Sequence, residues 1–284
     1  MDNAIHIQGL CKHYQDFSLQ DLDLTVPTGS IVGFVGENGA GKTTTLKAIL
    51  GAIRPDSGSI EVLGCSDPAK IDKSQIGVVF EDSFFPETIT IEQVDKIMRH
   101  IQPNWSSDTF SHLIKRFRLH KKKLIKDMSK GTRMKLRLAT ALAHSPKLLI
   151  LDEATSGLDP VIRNEVLDYL RDYIQDESHS VLISSHITSD LEKIADSIVY
   201  LHQGKLVFQT NKDELLDHYG VLKCSQEQLK QIPAELRVFT QQSEFTCETL
   251  INNVQAVQKI LPKAIIDRAG IDDIMQFFAR RDEQ

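Results

Sequence analysis

No run of apolar residues in this chain approaches the roughly 18 that a membrane span needs, and Met1-Asp2-Asn3-Ala4-Ile5-His6 lacks the basic and apolar regions of a secretion signal. Work at a membrane is therefore expected only from outside the bilayer and through a partner. Cysteine is scarce: Cys11, Cys65, Cys224 and Cys247 are scattered without paired spacing, so neither a zinc site nor a disulfide framework is indicated and a reducing compartment fits best. Basic charge is not in excess. The net charge is -6, which disfavours a nucleic-acid partner, and the run His120-Lys121-Lys122-Lys123 reads more readily as a solvated helix end than as a phosphate-binding patch. There is no internal repeat and no low-complexity tract. What remains is 284 residues, 41% hydrophobic and 25% charged, enough for one large domain or one domain with a small appendage.

The chain is organised around Gly36-Glu37-Asn38-Gly39-Ala40-Gly41-Lys42-Thr43-Thr44. An apolar run, Ser30-Ile31-Val32-Gly33-Phe34-Val35, precedes it and a helical pattern, Thr45-Leu46-Lys47-Ala48-Ile49-Leu50, follows. Strand, glycine-rich loop and helix in this order are the setting that the phosphate-binding pattern G-x-x-x-x-G-K-[ST] requires. Gly36, Gly39 and Gly41 let successive backbone N–H groups, with those of Asn38 and Thr44, close around a phosphate, and the helix start adds partial positive charge. Lys42 is placed to reach the β- and γ-phosphates and the Thr43 hydroxyl to ligate Mg²⁺. The alternative is a chance glycine turn carrying a surface lysine.

Before this loop, Ile5, Ile7, Leu19, Leu22, Leu24 and Val26 fall at near-even spacing, which predicts an antiparallel β-layer. On its edge, Tyr14 offers a flat face on which an adenine ring can stack, or is simply a surface or core tyrosine. After the loop, Ile76 to Phe80 reads as a buried strand ending at Glu81, and residues 83–145 as an inserted helical lobe with helices at 91–101, 109–119 and 133–143. Ser129 and Gly131, at the start of the last of these, form a second anion-binding helix start, a weak signal alone.

A stronger signal is Lys147-Leu148-Leu149-Ile150-Leu151-Asp152-Glu153, a fully buried strand that ends in two acids where open α/β sheets place their ligands. Asp152 is expected to hold Mg²⁺ and Glu153 to polarise an attacking water; a strand-terminating turn is the alternative. Ser156-Gly157-Leu158-Asp159-Pro160 turns into another helix, and the next strand, 180–185, delivers His186 at its carboxyl end, placed to bond a γ-phosphate or the water. A glycine-turned hairpin closes this first domain near Thr210. Residues 211–284 carry no phosphate or metal motif; they predict a short helix at 212–219, strands at 221–224 and 236–240, and a final helix at 271–280 whose Ile271, Ile274, Met275 and Phe278 share one face.

Over about residues 4 to 210 these motifs, in this order, resemble the nucleotide-binding subunit of an ATP-binding cassette transporter. The resemblance implies an α/β P-loop ATPase fold with a mixed sheet, an antiparallel β subdomain and an inserted helical subdomain, followed here by a small α+β domain. Tyr14 falls at the adenine-stacking aromatic, 36–43 at Walker A, Glu81 where the family usually has the Q-loop glutamine, and Ser129 to Thr132 at the signature. Leu148 to Asp152 falls at Walker B with Glu153 as catalytic glutamate, 156–159 at the D-loop with Asp159, and His186 at the switch histidine. Two departures stand out: Met128, Lys130 and Thr132 replace three of the five signature positions Leu-Ser-Gly-Gly-Gln, and Glu81 replaces glutamine while keeping an oxygen ligand for Mg²⁺. With the trailing domain, both are similar to bacterial exporter ATPases of the bacitracin-resistance and phenol-soluble-modulin type. The implied assembly is a head-to-tail homodimer sandwiching two ATP molecules, held at the inner face of the cell membrane by a separate integral permease, with no nucleic acid expected. An importer ATPase for a small nutrient, disfavoured by Glu81 and the altered signature, and a soluble cassette ATPase acting on ribosomes or DNA are the competing readings.

Overall fold

The computed structural model of the chain describes residues 2–67, 70–80, 85–242 and 246–282. Strands β1 (Asn3–His13) and β2 (Ser18–Pro27) pair antiparallel. Their inward residues, Ile5, Ile7, Leu22, Leu24 and Val26 among them, are buried while neighbours face water, the alternation that makes a one-sided layer. β3 (Ile31–Val35) is buried along its whole length and feeds α1 (Lys42–Ile49). β4 (Ser57–Val62) returns to the first layer, which has the order β2-β1-β4.

β5 (Ile76–Val79) leads toward a helical lobe containing α2 (Ile91–Ile101), α3 (Ser107–Arg116) and α4 (Lys130–Leu142). The last two begin two and three residues earlier than the apolar periodicity placed them. Ser106 and Ser129 cap them, accepting from the N–H groups of Thr109 and Thr132, so the polar first turns belong to the helices as well. β6 (Leu148–Asp152), α5 (Pro160–Tyr173), β7 (Ser180–Ser185), α6 (Thr188–Ile194) and the hairpin β8 (Ser197–His202) and β9 (Lys205–Asn211) complete the main sheet.

That sheet has the order β5-β6-β7-β3-β8-β9, parallel except for the β8–β9 hairpin. Successive side chains of a strand point to opposite faces, and β6 shows it. Leu148 and Ile150 join the apolar core shared with the first layer and α1, whereas Leu149 and Leu151 join the core beneath the helices. Register then sets the carboxyl ends side by side: Val35 pairs with Ser185 and Asp152 with Ser184. The residues that follow these strand ends are thereby gathered into one place.

Beyond β9 come α7 (Lys212–His218), β10 (Gly220–Cys224), α8 (Gln226–Leu229), β11 (Arg237–Gln242), β12 (Cys247–Ile251), α9 (Val254–Ile260), β13 (Ile265–Arg268) and α10 (Ile271–Asp282). The four strands form an antiparallel sheet, β11-β12-β10-β13, over a small core of Leu222, Ile232, Ile251 and Val257. Here two of the four scattered cysteines meet: Cys224 lies opposite Cys247 in the β10–β12 register, both free thiols and both buried. Helix α10 turns back, burying Ile271, Ile274 and Phe278 in the core beneath the main sheet, and the Tyr200 hydroxyl donates to the Met275 carbonyl at 3.3 Å. Among the described residues no helix is long and apolar enough to cross a membrane.

Candidate functional site

The loop between β3 and α1 is shaped by its glycines. Gly39 and Gly41 have φ of +85° and +110°, a region closed to most side chains, and Gly41 is the residue from which α1 starts. Gly36 is needed for space instead, since a Cβ there would stand 2.4 Å from the Leu201 carbonyl oxygen of β8. Lys42, in the first turn of α1, is 5% exposed and donates to the carbonyls of Gly36 at 2.6 Å and Glu37 at 3.2 Å. Its ammonium thus sits inside the loop's own cradle, where an anionic ligand would compete for it.

The two acids at the end of β6 do different things. Asp152 accepts from the Thr43 hydroxyl at 2.8 Å and from the Ser184 hydroxyl at 2.5 Å, which holds its carboxylate rigidly beside the loop. Glu153 has φ of +51°, rare for a residue with a side chain. Its N–H donates to Ser184 twice over, to the hydroxyl at 3.1 Å and the carbonyl at 3.2 Å, and these bonds hold the turn. The turn aims the carboxylate back at the loop: Oε1 lies 3.5 Å from the Lys42 ammonium, and Oε2 accepts from His186 Nδ1 at 2.5 Å. Backbone outliers of this kind cost of order 1–3 kcal/mol and gather where geometry serves function.

A cleft of about 400 Å³ lies over this arrangement, lined by Phe17, the loop from Glu37 to Thr44, Asp152 and Glu153. It continues into a second hollow of about 520 Å³ lined by Tyr14, Phe17, Asn38, Gly39 and Gln203. Tyr14 is 47% exposed, with the Lys12 ammonium 5.7 Å from its ring centre. The two hollows share Phe17, Glu37, Asn38 and Gly39 in their walls.

Comparison with known proteins places the chain in a family. The ABC transporter family pattern matches residues 19–156. Bacitracin transport ATP-binding protein BcrA of Enterococcus faecalis is 33% identical over 220 residues, 76% of this chain and 71% of that protein. The lantibiotic transport ATP-binding protein SrtF of Streptococcus pyogenes is 32% identical over 212 residues, 74% of this chain and 91% of that one. The chain belongs to the ABC transporter ATP-binding proteins. Among solved structures, an ATP-binding subunit of an ABC transporter superposes with a TM-score of 0.67 at 27% identity, over 75% of this chain and 91% of its own. The ADP conformation of the cassette MJ1267 shares the fold, with a TM-score of 0.66 at 16% identity over 75% of this chain and 93% of its own. The chain is thus an ATP-binding cassette, and the activity of its family is ATP hydrolysis.

Within this cassette the sequence-identified residues fall into two groups. Gly36, Asn38, Gly39, Gly41, Lys42, Thr43, Thr44, Asp152, Glu153 and His186 meet at one end of the sheet, with Tyr14 along the groove. Ser129, Gly131 and Asp159 do not line that cleft. Gly131 is buried against α5, where a Cβ would meet Ile162 Cδ1 at 2.5 Å, and Asp159 caps α5 by accepting from the N–H groups of Val161 and Ile162. Glu81 lies outside the described residues. Two site residues escaped the sequence reading. Ser184 positions Asp152, and its signal was a hydroxyl inside an otherwise apolar, fully buried strand. Phe17 lines both hollows and packs at Gly41, yet in sequence it counts only as one more apolar residue.

Proposed function

We propose that this cassette energises the export of amphipathic peptides, antibiotics or related substrates through a separate membrane permease, and that it works as a head-to-tail pair of subunits. The likeness to the bacitracin and lantibiotic transport proteins carries the choice of substrate class. The pairing is supported by the position of Ser129 and Gly131, which lie away from their own chain's cleft at the start of a 13-residue helix. A helix start carries partial positive charge, which suits the γ-phosphate bound by another copy.

In the proposed cycle ATP phosphates draw the Lys42 ammonium off the Gly36 and Glu37 carbonyls, and the adenine stacks on Tyr14. Thr43 and Asp152 fit Mg²⁺, since a hydroxyl and a carboxylate already 2.8 Å apart are hard oxygen donors. No cluster of three His, Cys, Asp or Glu forms a metal cage among the described residues. When bound, the ion offsets negative charge on the β- and γ-phosphates. Glu153 then polarises the attacking water as general base, and His186 fixes the carboxylate by the bond it already makes. Residues 1–210 would form the ATPase unit and residues 211–284 an accessory unit, supported by the latter's own sheet and core.

Co-purification with the membrane protein that binds this chain, followed by ATPase assays with bacitracin-like and lantibiotic-like peptides, tests the proposal. Stimulation by such peptides only when the membrane partner is present is the expected result. Stimulation by nucleic acid or ribosomes without a membrane partner would replace it with the soluble alternative.

A further inference from the structure

Outside the nucleotide cleft, one carboxylate is buried without the contacts that burial demands. Asp190, in the first turn of α6, is fully shielded from solvent, and neither of its carboxylate oxygens has a hydrogen-bond partner. Facing it, Arg163 of α5 holds Nε 3.8 Å from Oδ2, and that Nε is also without a partner. Charge-assisted N–H···O bonds close at about 2.7–2.9 Å, so the pair stands roughly 1 Å short of one. Taking a carboxylate out of water is costly unless it is both paired and hydrogen-bonded. A small approach of α5 toward α6 would bring the pair within hydrogen-bonding distance.

Each partner is tied to a different wall of the hydrolytic site. Arg163 Nη2 donates to the Leu158 carbonyl at 3.4 Å, in the loop at 156–159 that leaves Glu153, and Arg163 N–H bonds the carbonyl of the capping Asp159 at 2.9 Å. Asp190 follows His186 by one tightly wound segment: the Ile187 N–H donates to the Ser185 hydroxyl at 2.9 Å and the Asp190 N–H to the Ile187 carbonyl at 3.2 Å. Both walls converge on one carboxylate, since Glu153 begins the first loop and accepts from His186 in the second.

We propose that Arg163 and Asp190 are a latch: their bond closes in the ATP-bound state and ties the loop at 156–159 to the loop carrying His186, so that Glu153 is fixed from both sides. The inference rests on the assignment of Glu153 and His186 to hydrolysis. Neither Arg163 nor Asp190 lines the nucleotide cleft, so they are positioning residues and not catalytic ones. The pair stands open at 3.8 Å, and closing it would draw the two loops together.

The test uses the 284-residue chain with Asp190→Asn, Arg163→Gln, the double variant and Asp190→Glu. Asp190→Asn preserves volume and removes the buried charge, so a cooperative melting transition is expected to be retained. Each single change should lower kcat about tenfold with KM within about twofold, and the double should be no worse than the poorer single, the signature of two residues acting as one unit. Asp190→Glu, one methylene longer, can bridge the gap and should keep at least half of the turnover. Unchanged kcat in folded single variants, losses that multiply in the double, or a loss confined to KM would each overturn the latch. Glu153→Gln measured alongside separates the two readings: if it turns over ATP normally, the assignment on which the latch rests has failed, whatever Asp190 and Arg163 do.

Discussion

Glu153 and His186 are joined side chain to side chain, Oε2 to Nδ1 at 2.5 Å, although they leave different strands. The other carboxylate oxygen of Glu153 is buried toward Lys42, 3.5 Å from its ammonium, without a hydrogen bond. One carboxylate thus links the three parts of the site: the phosphate loop, the end of β6 and the end of β7. The positive charge of Lys42 is thus partly satisfied by the group that we assign to activate water. Binding of ATP is expected to exchange that partner and leave Glu153 to His186.

If Glu153 is the general base, Glu153→Gln keeps the size of the side chain and its contact with His186 but cannot take up the proton. Turnover should fall by about 10²–10⁴-fold, the usual worth of general base catalysis. ATP affinity should be retained, and size-exclusion chromatography with ATP should show an accumulated two-subunit species. Wild-type turnover would remove Glu153 from this role.

Tyr14 tests whether the adenine lies along the groove. Its ring is half exposed and borders the hollow that reaches the loop, so it has free face to offer. Aromatic stacking is worth about 0.5–1.5 kcal/mol. Tyr14→Ala should therefore weaken ATP binding by about 2- to 12-fold, since 1.4 kcal/mol is about tenfold, while Tyr14→Phe and Tyr14→Trp should bind like the wild type. Equal affinity of all four proteins by fluorescent-nucleotide titration would place the base elsewhere.

The loop glycines serve different needs, and two substitutions separate them. Gly36→Ala drives a Cβ to 2.4 Å from the Leu201 carbonyl, part of the strand backbone that has no rotamer with which to yield. A loss of about 1–3 kcal/mol of stability is expected, as for other overpacked sites. Gly39 has open space and a φ of +85°, so Gly39→Asn, a residue that tolerates left-handed backbone, should cost less. Equal shifts in melting temperature would show that loop conformation, and not the contact with β8, limits both sites.

Much of this site was legible because its residues announce themselves by type and by place at strand ends. Lys42 in a glycine loop and Asp152-Glu153 after four apolar residues carry their chemistry in local sequence. The tail was harder. Helix α10 was visible from Ile271, Ile274 and Phe278, but β12 and β13 are five and four residues long and define themselves only through pairing, β12 with β10 and β11 and β13 with β10. Asp190 and Arg163 were illegible for a related reason. Each is an ordinary charged residue on an amphipathic helix until the packing of α5 against α6 closes off the solvent between them.

A pH prediction follows from His144, at the carboxyl end of α4. It is 7% exposed, and Nε2 donates to the Ile76 carbonyl of β5 at 3.2 Å, joining the helical lobe to the sheet edge. Burial pushes its pKa below the ordinary 6.5, outweighing the raising effect of that hydrogen bond. The folded protein therefore keeps His144 neutral at a pH where the unfolded chain already takes up a proton. Stability from this group is full above about pH 6.5 and is lost as pH falls from there toward the lowered folded value. Aspartates lie in another window: a hydrogen bond from Lys12, helped by His13, holds Asp56 at about 2, so its contribution is lost only in strong acid. Between about pH 7 and 5, the melting temperature of wild type should fall more steeply than that of His144→Gln, which keeps a donor for Ile76 but cannot titrate. Parallel curves for the two proteins across that window would show that His144 is not held neutral by the fold.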